Sequence, residues 1–122
     1  MPILDIHVVG ASSLENLPVS AQAIADAVGH ALGSAPGRTW VRVHPLPAAA
    51  YAENETALPA ADLPVFVSVL QAHPPAGEAL APEALALTRA VARLLGRPLE
   101  RVHVQYAPAA AGRQAFGGTL VE

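Results

Sequence analysis

Cysteine and lysine are absent from this sequence, and aromatic residues make up only 4% of it. Without cysteine the chain forms no disulfide and has no thiolate chemistry. Seven arginines against ten acidic residues give a net charge of −3, with no basic cluster of the kind that binds nucleic acid. No apolar run approaches the ~18 residues of a membrane span. These absences favour a cytoplasmic enzyme or binding domain with neither a nucleic-acid nor a membrane partner.

The first half of the chain has the pattern of a strand, a helix and a second strand. A mostly apolar stretch over 3–9 predicts a strand. Asn16 and Gly33 mark the beginning and end of an amphipathic helix. An alternating stretch over 40–44 predicts the next strand, and a Pro/Ala-rich connector over 45–63 follows.

The same pattern then occurs again. A strand is predicted over 64–70, a helix from Pro82 to Gly96, and a strand over 102–106. The glycine-rich tail over 112–120 predicts a short hairpin or edge strand.

This internal repeat has a period of about sixty residues. It predicts a single domain over 1–122, with repeat one at 2–62 and repeat two at 63–122, and it aligns Pro2 with Pro64. Two β-α-β units predict an α/β (α+β) fold, in which a four-stranded sheet carries two helices on one face. The second strands also match, as Val41-Arg42-Val43 and Val102-His103-Val104.

The strands over 3–9 and 64–70 read as apolar on both sides, which indicates burial of both faces of the sheet. Because both helices cover one face, a second copy of the chain is expected to cover the other. Arg42 and His103 are expected on that second face, opposite valines that pack on the helices. A carboxylate of a neighbouring subunit or of a substrate is the expected partner of Arg42, and His103 is either an interface residue or a donor to a substrate oxygen.

The Met1-Pro2 start offers a reactive group. Initiator methionine is usually trimmed before a small residue, and an N-terminal proline is then a free secondary amine. An α-amino group titrates near ~7.7–8.0, and burial or a nearby arginine lowers that value. Pro2 is thus either a general base or simply the first residue of a strand, where a missing N–H is tolerated.

Taken together, these residues resemble the tautomerase superfamily. Pro2 to Val9 is similar to the opening of 4-oxalocrotonate tautomerase, and Val41-Arg42-Val43 matches its second strand, where that family has a substrate-binding arginine. The stretch from Leu94 to Leu120 resembles macrophage migration inhibitory factor, with His103 at the place of an active-site tyrosine. Phe116 falls on an apolar pocket position of that family, and Ser34 replaces its lysine.

The resemblance implies a homotrimer with active sites around Pro2 at the subunit boundaries. It implies a cofactor-free keto–enol tautomerase acting on a small 2-oxo or 2-hydroxy-enoic acid, with Arg42 as carboxylate anchor. Arg113 is either a pocket cation or a solvated loop charge, Tyr51 is a candidate for the mouth of the site, and Phe116 for its wall. The histidines show no metal-ligand spacing, so neither metal nor cofactor is expected.

Two other functions remain open from the sequence. Pro2 could act as a nucleophile that forms an iminium with a carbonyl substrate. The chain could instead be a non-enzymatic ligand- or protein-binding module on a trimeric tautomerase scaffold, since fold does not dictate function.

Overall fold

The structure, a computed structural model, describes residues 1–122. The four long strands and two helices lie where the sequence predicts them, and the tail forms the predicted hairpin. In chain order the elements are β1 (Ile3–Val9), α1 (Ala21–Ala31), β2 (Trp40–Leu46), β3 (Val65–Leu70), α2 (Leu80–Leu95), β4 (Val102–Tyr106), β5 (Ala115–Phe116) and β6 (Thr119–Leu120).

Three element boundaries differ from the sequence prediction by two residues or more: the start of α1, the end of β2, and the start of α2, which begins at Leu80 rather than at Pro82. α1 begins after Ser20 rather than at Asn16, because the Ser20 side chain accepts a hydrogen bond from the Ala23 backbone N–H at 3.1 Å and caps the helix. β2 continues through Pro45 to Leu46. Proline is accommodated there because β2 is an edge strand, which needs ladder hydrogen bonds on one side only.

The four long strands form one sheet in the order β2-β1-β3-β4. β1 is parallel to β2 and β3 is parallel to β4, so each parallel pair is joined by a helical crossover. β1 and β3 are antiparallel neighbours at the centre. The two β-α-β units therefore meet along their first strands, and their second strands are the two edges of the sheet.

Both helices pack on the same face of the sheet, as predicted. Burial of each valine, leucine or isoleucine side chain there stabilises the fold by about 1.5–3 kcal/mol. Neither helix is long and apolar enough to cross a membrane. The shared core contains Ile24 and Val28 of α1, Leu87, Val91 and Leu95 of α2, and the strand residues Leu4, Ile6, Val8, Val65, Val67 and Val69.

The strand pairing defines which residues of the two units are equivalent. Ile6 pairs with Val43 in the first unit, and Val67 pairs with Val104 in the second. Ile6 and Val67 also face each other across the antiparallel pair at the centre of the sheet. Ile6 and Val67 are therefore equivalent residues.

This equivalence corrects the sequence alignment of the two units by one residue. Pro2 is equivalent to Leu63, not to Pro64. Aligning Pro2 with Pro64 would superimpose the buried Leu4 on Phe66, which points to the opposite face. A shift of one residue reverses the face of every side chain in a strand, so the pairing excludes it.

No helix covers the other face of the sheet, which we call the open face. The prediction that β1 and β3 are apolar on both sides is wrong here, because Asp5, His7 and Ser68 place polar groups at its centre. The open face is formed by Trp40, Arg42 and His44 of β2, Ile3, Asp5 and His7 of β1, Phe66, Ser68 and Leu70 of β3, and His103 and Gln105 of β4.

Candidate active site

Pro2 lies immediately before β1 and is half-buried. Its carbonyl oxygen accepts a hydrogen bond from the Trp40 backbone N–H at 3.0 Å, which extends the ladder between β1 and β2 by one rung. Its nitrogen is bonded to Met1 in the 122-residue chain, and amide resonance leaves that nitrogen without basic character. Removal of Met1 would create a secondary amine at the fixed end of a strand.

Two aromatic side chains lie at this end of the sheet. Trp40, the partner of Ile3 in the pairing of β1 and β2, is 43% exposed. Phe116 packs edge-on against Trp40 with ring centroids 5.1 Å apart. Because Phe116 follows one edge strand and Trp40 belongs to the other, the tail crosses the end of the sheet. This crossing places an aromatic surface close to the start of β1.

Arg42 lies on the open face, as predicted, but its guanidinium is already paired within the chain. Nε and Nη2 donate to the two carboxylate oxygens of Asp5 at 2.8 and 2.9 Å, a bidentate pair across β1 and β2. His44 Nε2 donates to the same carboxylate at 2.9 Å, and its ring stacks on His7 at 4.6 Å. The partner of Arg42 is thus a carboxylate of its own subunit, which the sequence analysis did not consider.

These contacts determine the charge of the pair. The hydrogen bonds from Arg42 lower the pKa of the Asp5 carboxyl, against the opposing effect of partial burial and with help from His44. Asp5 in turn raises the pKa of Arg42. Asp5 is therefore ionised and Arg42 cationic at neutral pH. The Arg42 side chain remains 65% exposed, so its other N–H groups are accessible to a ligand.

A second cluster lies at the opposite end of β1. The Tyr51 hydroxyl donates to Glu53 at 2.6 Å, and Arg101 donates to the same carboxylate oxygen at 2.5 Å. Both donors lower the pKa of Glu53, and Glu53 raises the pKa of Tyr51. Phe66 lies 5.7 Å from the Tyr51 ring and 5.5 Å from the His103 ring, so it connects these two predicted site residues.

The residues predicted for the site fall into separate groups in one chain. Pro2 and Phe116 lie at the start of β1. His103 lies level with His7 across the sheet, and His7 is five residues further along β1 than Pro2, or ~16 Å at ~3.3 Å per residue. Arg42 and His103 are on the two edge strands, about 14 Å apart at ~4.8 Å per strand. A single chain does not bring these side chains around one small ligand.

The surface clefts lead to the same conclusion, because none of them is lined by Pro2. A cleft of about 430 Å³ lies beside Ser34 and Thr39, in the segment that leads into β2. Another, of about 370 Å³, is lined by Tyr51 and Glu53. Arg113 is exposed on the tail, and its side chain makes no hydrogen bond. A pocket around Pro2 needs a second surface.

Sequence reasoning missed two charged residues of this region, Asp5 and Arg38. Asp5 could have been found from the sequence, because it is a carboxylate between the apolar residues Leu4 and Ile6 of a predicted strand. The parallel pairing of β1 and β2 places it opposite Arg42. Nothing in the sequence marked Arg38 as a site residue, because its position beside the N-terminus depends on the path of the chain from α1 to β2. Its Nη1 lies 3.5 Å from the Met1 sulfur.

A polar group inside the helix side of the fold was missed as well. The Tyr106 hydroxyl donates to Glu83 at 2.7 Å, and Gln71 donates to the other oxygen of that carboxylate at 3.2 Å. Burial and Glu83 raise the pKa of Tyr106. This group lies between α2 and the sheet, so it is not part of the open face. No group of three or more histidine and acidic side chains is arranged to hold a metal ion.

No protein-family model matches the sequence, and no curated protein matches it significantly. Solved structures do match. A native fused 4-OT is 15% identical with a TM-score of 0.75, over 97% of this chain and 94% of that one. Macrophage migration inhibitory factor from Oncomelania hupensis is 19% identical with a TM-score of 0.74, over 100% and 83%. Pt0534 inactivated by 2-oxo-3-pentynoate is 20% identical with a TM-score of 0.72, over 97% and 95%.

At these identities the likeness concerns the fold. The matches extend over almost the whole of this chain and of its counterparts, so they include both β-α-β units and the tail. The chain therefore shares the fold of these 4-OT and macrophage migration inhibitory factor structures, as its sequence indicated.

Proposed function

We propose that this protein is a cofactor-independent keto–enol tautomerase, with Pro2 as general base on a small 2-oxo or 2-hydroxy-enoic acid. The observation that carries the proposal is the position of Pro2. It is half-buried at the start of the central strand β1, and its carbonyl is fixed by the Trp40 N–H at 3.0 Å. Removal of Met1 would convert the Pro2 nitrogen from an amide into a secondary amine.

The chemistry requires proton transfer at a carbon next to a carbonyl group. A secondary amine takes the proton from the enol or the carbon acid and returns it at the other site. Partial burial disfavours the protonated amine and so favours the basic form. Donors that stabilise the developing enolate complete the mechanism, and His103 is proposed for this role, with Tyr51 at the mouth of the site.

We further propose that the active form is a homotrimer. A fused 4-OT with this fold is described as a symmetric trimer. In this chain β2, which carries Arg42, and β4, which carries His103, are the two edge strands of the sheet. Their side chains differ, and neither strand has a neighbour on its outer side. Contact between unlike edges of successive subunits forms a closed ring when the rotation between subunits closes, and such a ring would bring the separated site residues together.

In such a trimer Arg42, Arg113 and Phe116 keep the roles that the sequence predicts. Arg42 would hold a substrate carboxylate with the N–H groups that Asp5 leaves accessible. Arg113 would supply a second positive charge from the tail, and Phe116 would form an apolar wall beside Trp40. The substrate pocket then lies between subunits, which is consistent with a single chain that has no cleft at Pro2.

A binding module without catalysis is the second candidate, and two observations favour it. Two donors of the Arg42 guanidinium are bonded to Asp5, and Met1 blocks the Pro2 nitrogen as long as it is retained. Under this alternative the trimer would present its open face or clefts to a ligand, and Pro2 would serve only to begin β1.

The first experiment is an intact mass of untagged protein, followed by a ketonisation assay with arylpyruvate enols and 2-hydroxydienoates. The proposal expects a mass lower by one methionine and turnover of at least one enol. Treatment with 2-oxo-3-pentynoate, the reagent that inactivates Pt0534, should add one reagent mass to the N-terminal peptide. Processed protein that neither turns over an enol nor takes up the reagent would contradict a catalytic Pro2.

A further inference from the structure

The chain has one buried side-chain polar atom to which no protein group is hydrogen-bonded, the Oε1 oxygen of Gln71. The other end of the same amide is fixed, because Gln71 Nε2 donates to the Glu83 carboxylate of α2 at 3.2 Å. Since a carboxylate only accepts, turning the amide over would place Oε1 against it, so the amide has one orientation. A buried acceptor without a donor destabilises a fold, and its position therefore needs an explanation.

Gln71 lies opposite Pro2 at the end of the sheet. The pairing of β1 with β3 ends where Ile3 faces Leu70, so Pro2 and Gln71 are the next residues on these two strands. Leu70 lies on the open face, and side chains alternate along a strand, so the Gln71 side chain turns to the helix side. Its hydrogen bond to Glu83 of α2 agrees with this direction.

The hydrogen-bonding pattern of β1 and β3 brings these two residues close together. The Val9 N–H donates to the Pro64 carbonyl, and in an antiparallel pair bonded positions alternate with non-bonded ones. Pro2 is an odd number of positions before Val9, so it corresponds to a non-bonded position, where the Cα atoms of the two strands are only about 4.5 Å apart. The Pro2 carbonyl accordingly points to β2, where it accepts from the Trp40 N–H.

The Pro2 nitrogen has no hydrogen while Met1 is attached, because proline lacks a backbone N–H. Removal of Met1 makes it a tetrahedral amine with two further positions, one on each side of the former peptide plane. Because the N–H and C=O groups of a sheet point to neighbouring strands, its peptide planes lie roughly within the sheet. One position on the nitrogen therefore points to the helix side, where the Gln71 side chain lies, and the other points to the open face.

We propose that Gln71 is a positioning residue for Pro2: its side-chain oxygen accepts the N–H that the Pro2 nitrogen gains on the helix side when Met1 is removed. This inference rests on the proposed function, which supplies the free amine. The hydrogen bond gives the buried oxygen a donor and directs the lone pair of the neutral amine to the open face. The base then acts on a substrate held on the face of Trp40 and Arg42.

The same hydrogen bond affects the protonation of the amine. A hydrogen bond from a charged donor is stronger than one from a neutral donor, so the Gln71 oxygen stabilises the ammonium more than the amine. Gln71 therefore raises the pKa of the Pro2 amine, whereas partial burial lowers it. The other titratable and charged groups towards this end of the molecule are Glu83 and Tyr106 on the helix side, Arg38 before β2, His73 and Glu122 beyond β3, and Asp5 and Arg42 on the open face.

The test follows the amine and the amide oxygen by NMR, without a substrate. In protein from which an aminopeptidase has removed Met1, the nitrogen shift of labelled Pro2 gives the pKa of the amine. The side-chain carbonyl carbon of Gln71 should titrate with the same midpoint, and in the 122-residue chain that keeps Met1 this titration should be absent. Gln71→Leu should lower the pKa of the Pro2 amine by roughly half a unit to one unit, because the ammonium loses the stronger hydrogen bond.

Tyr106→Phe is the matched control, because it removes the other donor to Glu83 and keeps the Gln71 oxygen. It should leave the pKa of the Pro2 amine unchanged. A Gln71 carbonyl that does not follow the Pro2 titration, as expected for an oxygen bonded to a buried water, overturns the proposal. An equal pKa in the wild type and Gln71→Leu overturns it as well. If Gln71→Leu does not fold, the shifts of the wild type decide alone.

These outcomes are separate from those of the proposed function. Coupled titration of Pro2 and Gln71 in a protein that turns over no enol supports the hydrogen bond and rejects the catalytic proposal. Independent titrations in an active enzyme keep the tautomerase and reject the role of Gln71. With an active enzyme, Gln71→Leu should move the acidic limb of the kcat/KM profile to lower pH by the shift measured for the amine, and Tyr106→Phe should leave it in place.

Discussion

Two equivalent cross-strand pairs on the open face have different chemistry. In the first β-α-β unit, Asp5 faces Arg42 in a bidentate ion pair. In the second, the same positions hold Phe66 and His103, whose rings lie 5.5 Å apart. The backbone pairing is alike, so the difference lies in the side chains. One edge of the sheet is ionic and the other is aromatic, which suits the contact of unlike edges in a closed ring.

The largest expected effect comes from the residue that begins the first unit. Pro2→Ala should lower kcat/KM for ketonisation by about 10²- to 10⁴-fold, because it removes the secondary amine that acts as base. Pro64→Ala is a second proline substitution that serves as a control, because the Pro64 nitrogen is always an amide and its side chain is fully buried. The control should lose stability and keep its kcat. Full activity of Pro2→Ala would refute the mechanism.

The next effect concerns the core that both units share. Ile24→Ala in α1 and Leu87→Ala in α2 each truncate a side chain with 0% exposure. Each should lower the free energy of unfolding by about 2–5 kcal/mol, measured by urea denaturation. Similar losses would agree with a single core, whereas a variant with two separate unfolding transitions would show that the units unfold independently.

A smaller effect tests whether Arg42 and His103, one residue from each cross-strand pair, contact the ligand. Arg42→Ala should raise KM for an enol acid about tenfold and change kcat little, since a carboxylate anchor acts on binding. His103→Ala should instead act mainly on kcat, because a donor to the enolate oxygen matters most in the transition state. An unchanged KM in Arg42→Ala would mean that its guanidinium serves only Asp5.

The smallest effect is the pH dependence of the ionic pair. Because the folded-state pKa of Asp5 is lowered, the pair stabilises the fold above the unfolded value of about 3.9, and this contribution is lost as the pH falls through the folded value. The stability difference between the wild type and Asp5→Asn should thus be greatest at pH 5 and above, and should shrink towards pH 2. A difference independent of pH over this range would show that Asp5 contributes no ionic stabilisation.

The sequence predicted the elements well because each has a local cause. Alternation placed Val41 and Val43 towards the helices and Arg42 away from them, as the structure confirms. Gly96 ends α2 in a left-handed conformation with a φ of 64°, which local sequence also indicates. The start of α1 was misjudged, because Asn16 and Ser20 are both suitable caps and only Ser20 makes the hydrogen bond.

The candidate site was less predictable because its contacts join residues far apart in the chain. The Asp5–Arg42 pair spans 37 positions, and so does the contact of Arg38 with Met1. Neither pair has a spacing that a helix or a turn would impose. The pairing of Trp40 with Phe116 depends on the path of the tail across the sheet, which its glycines permit but do not specify.

By itself, the sequence determined the two β-α-β units, the face each strand turns to the helices, and the Met-Pro start, because these follow from periodicity and from covalent order. Tertiary structure alone decided the alignment of the two units, the in-chain partner of Arg42 and the place of Arg38 at the N-terminus. The physical reason is that strand pairing joins segments that are far apart in the chain, so the local sequence does not determine which residues pair. A shift of one residue in that pairing exchanges the buried side chains for the exposed ones.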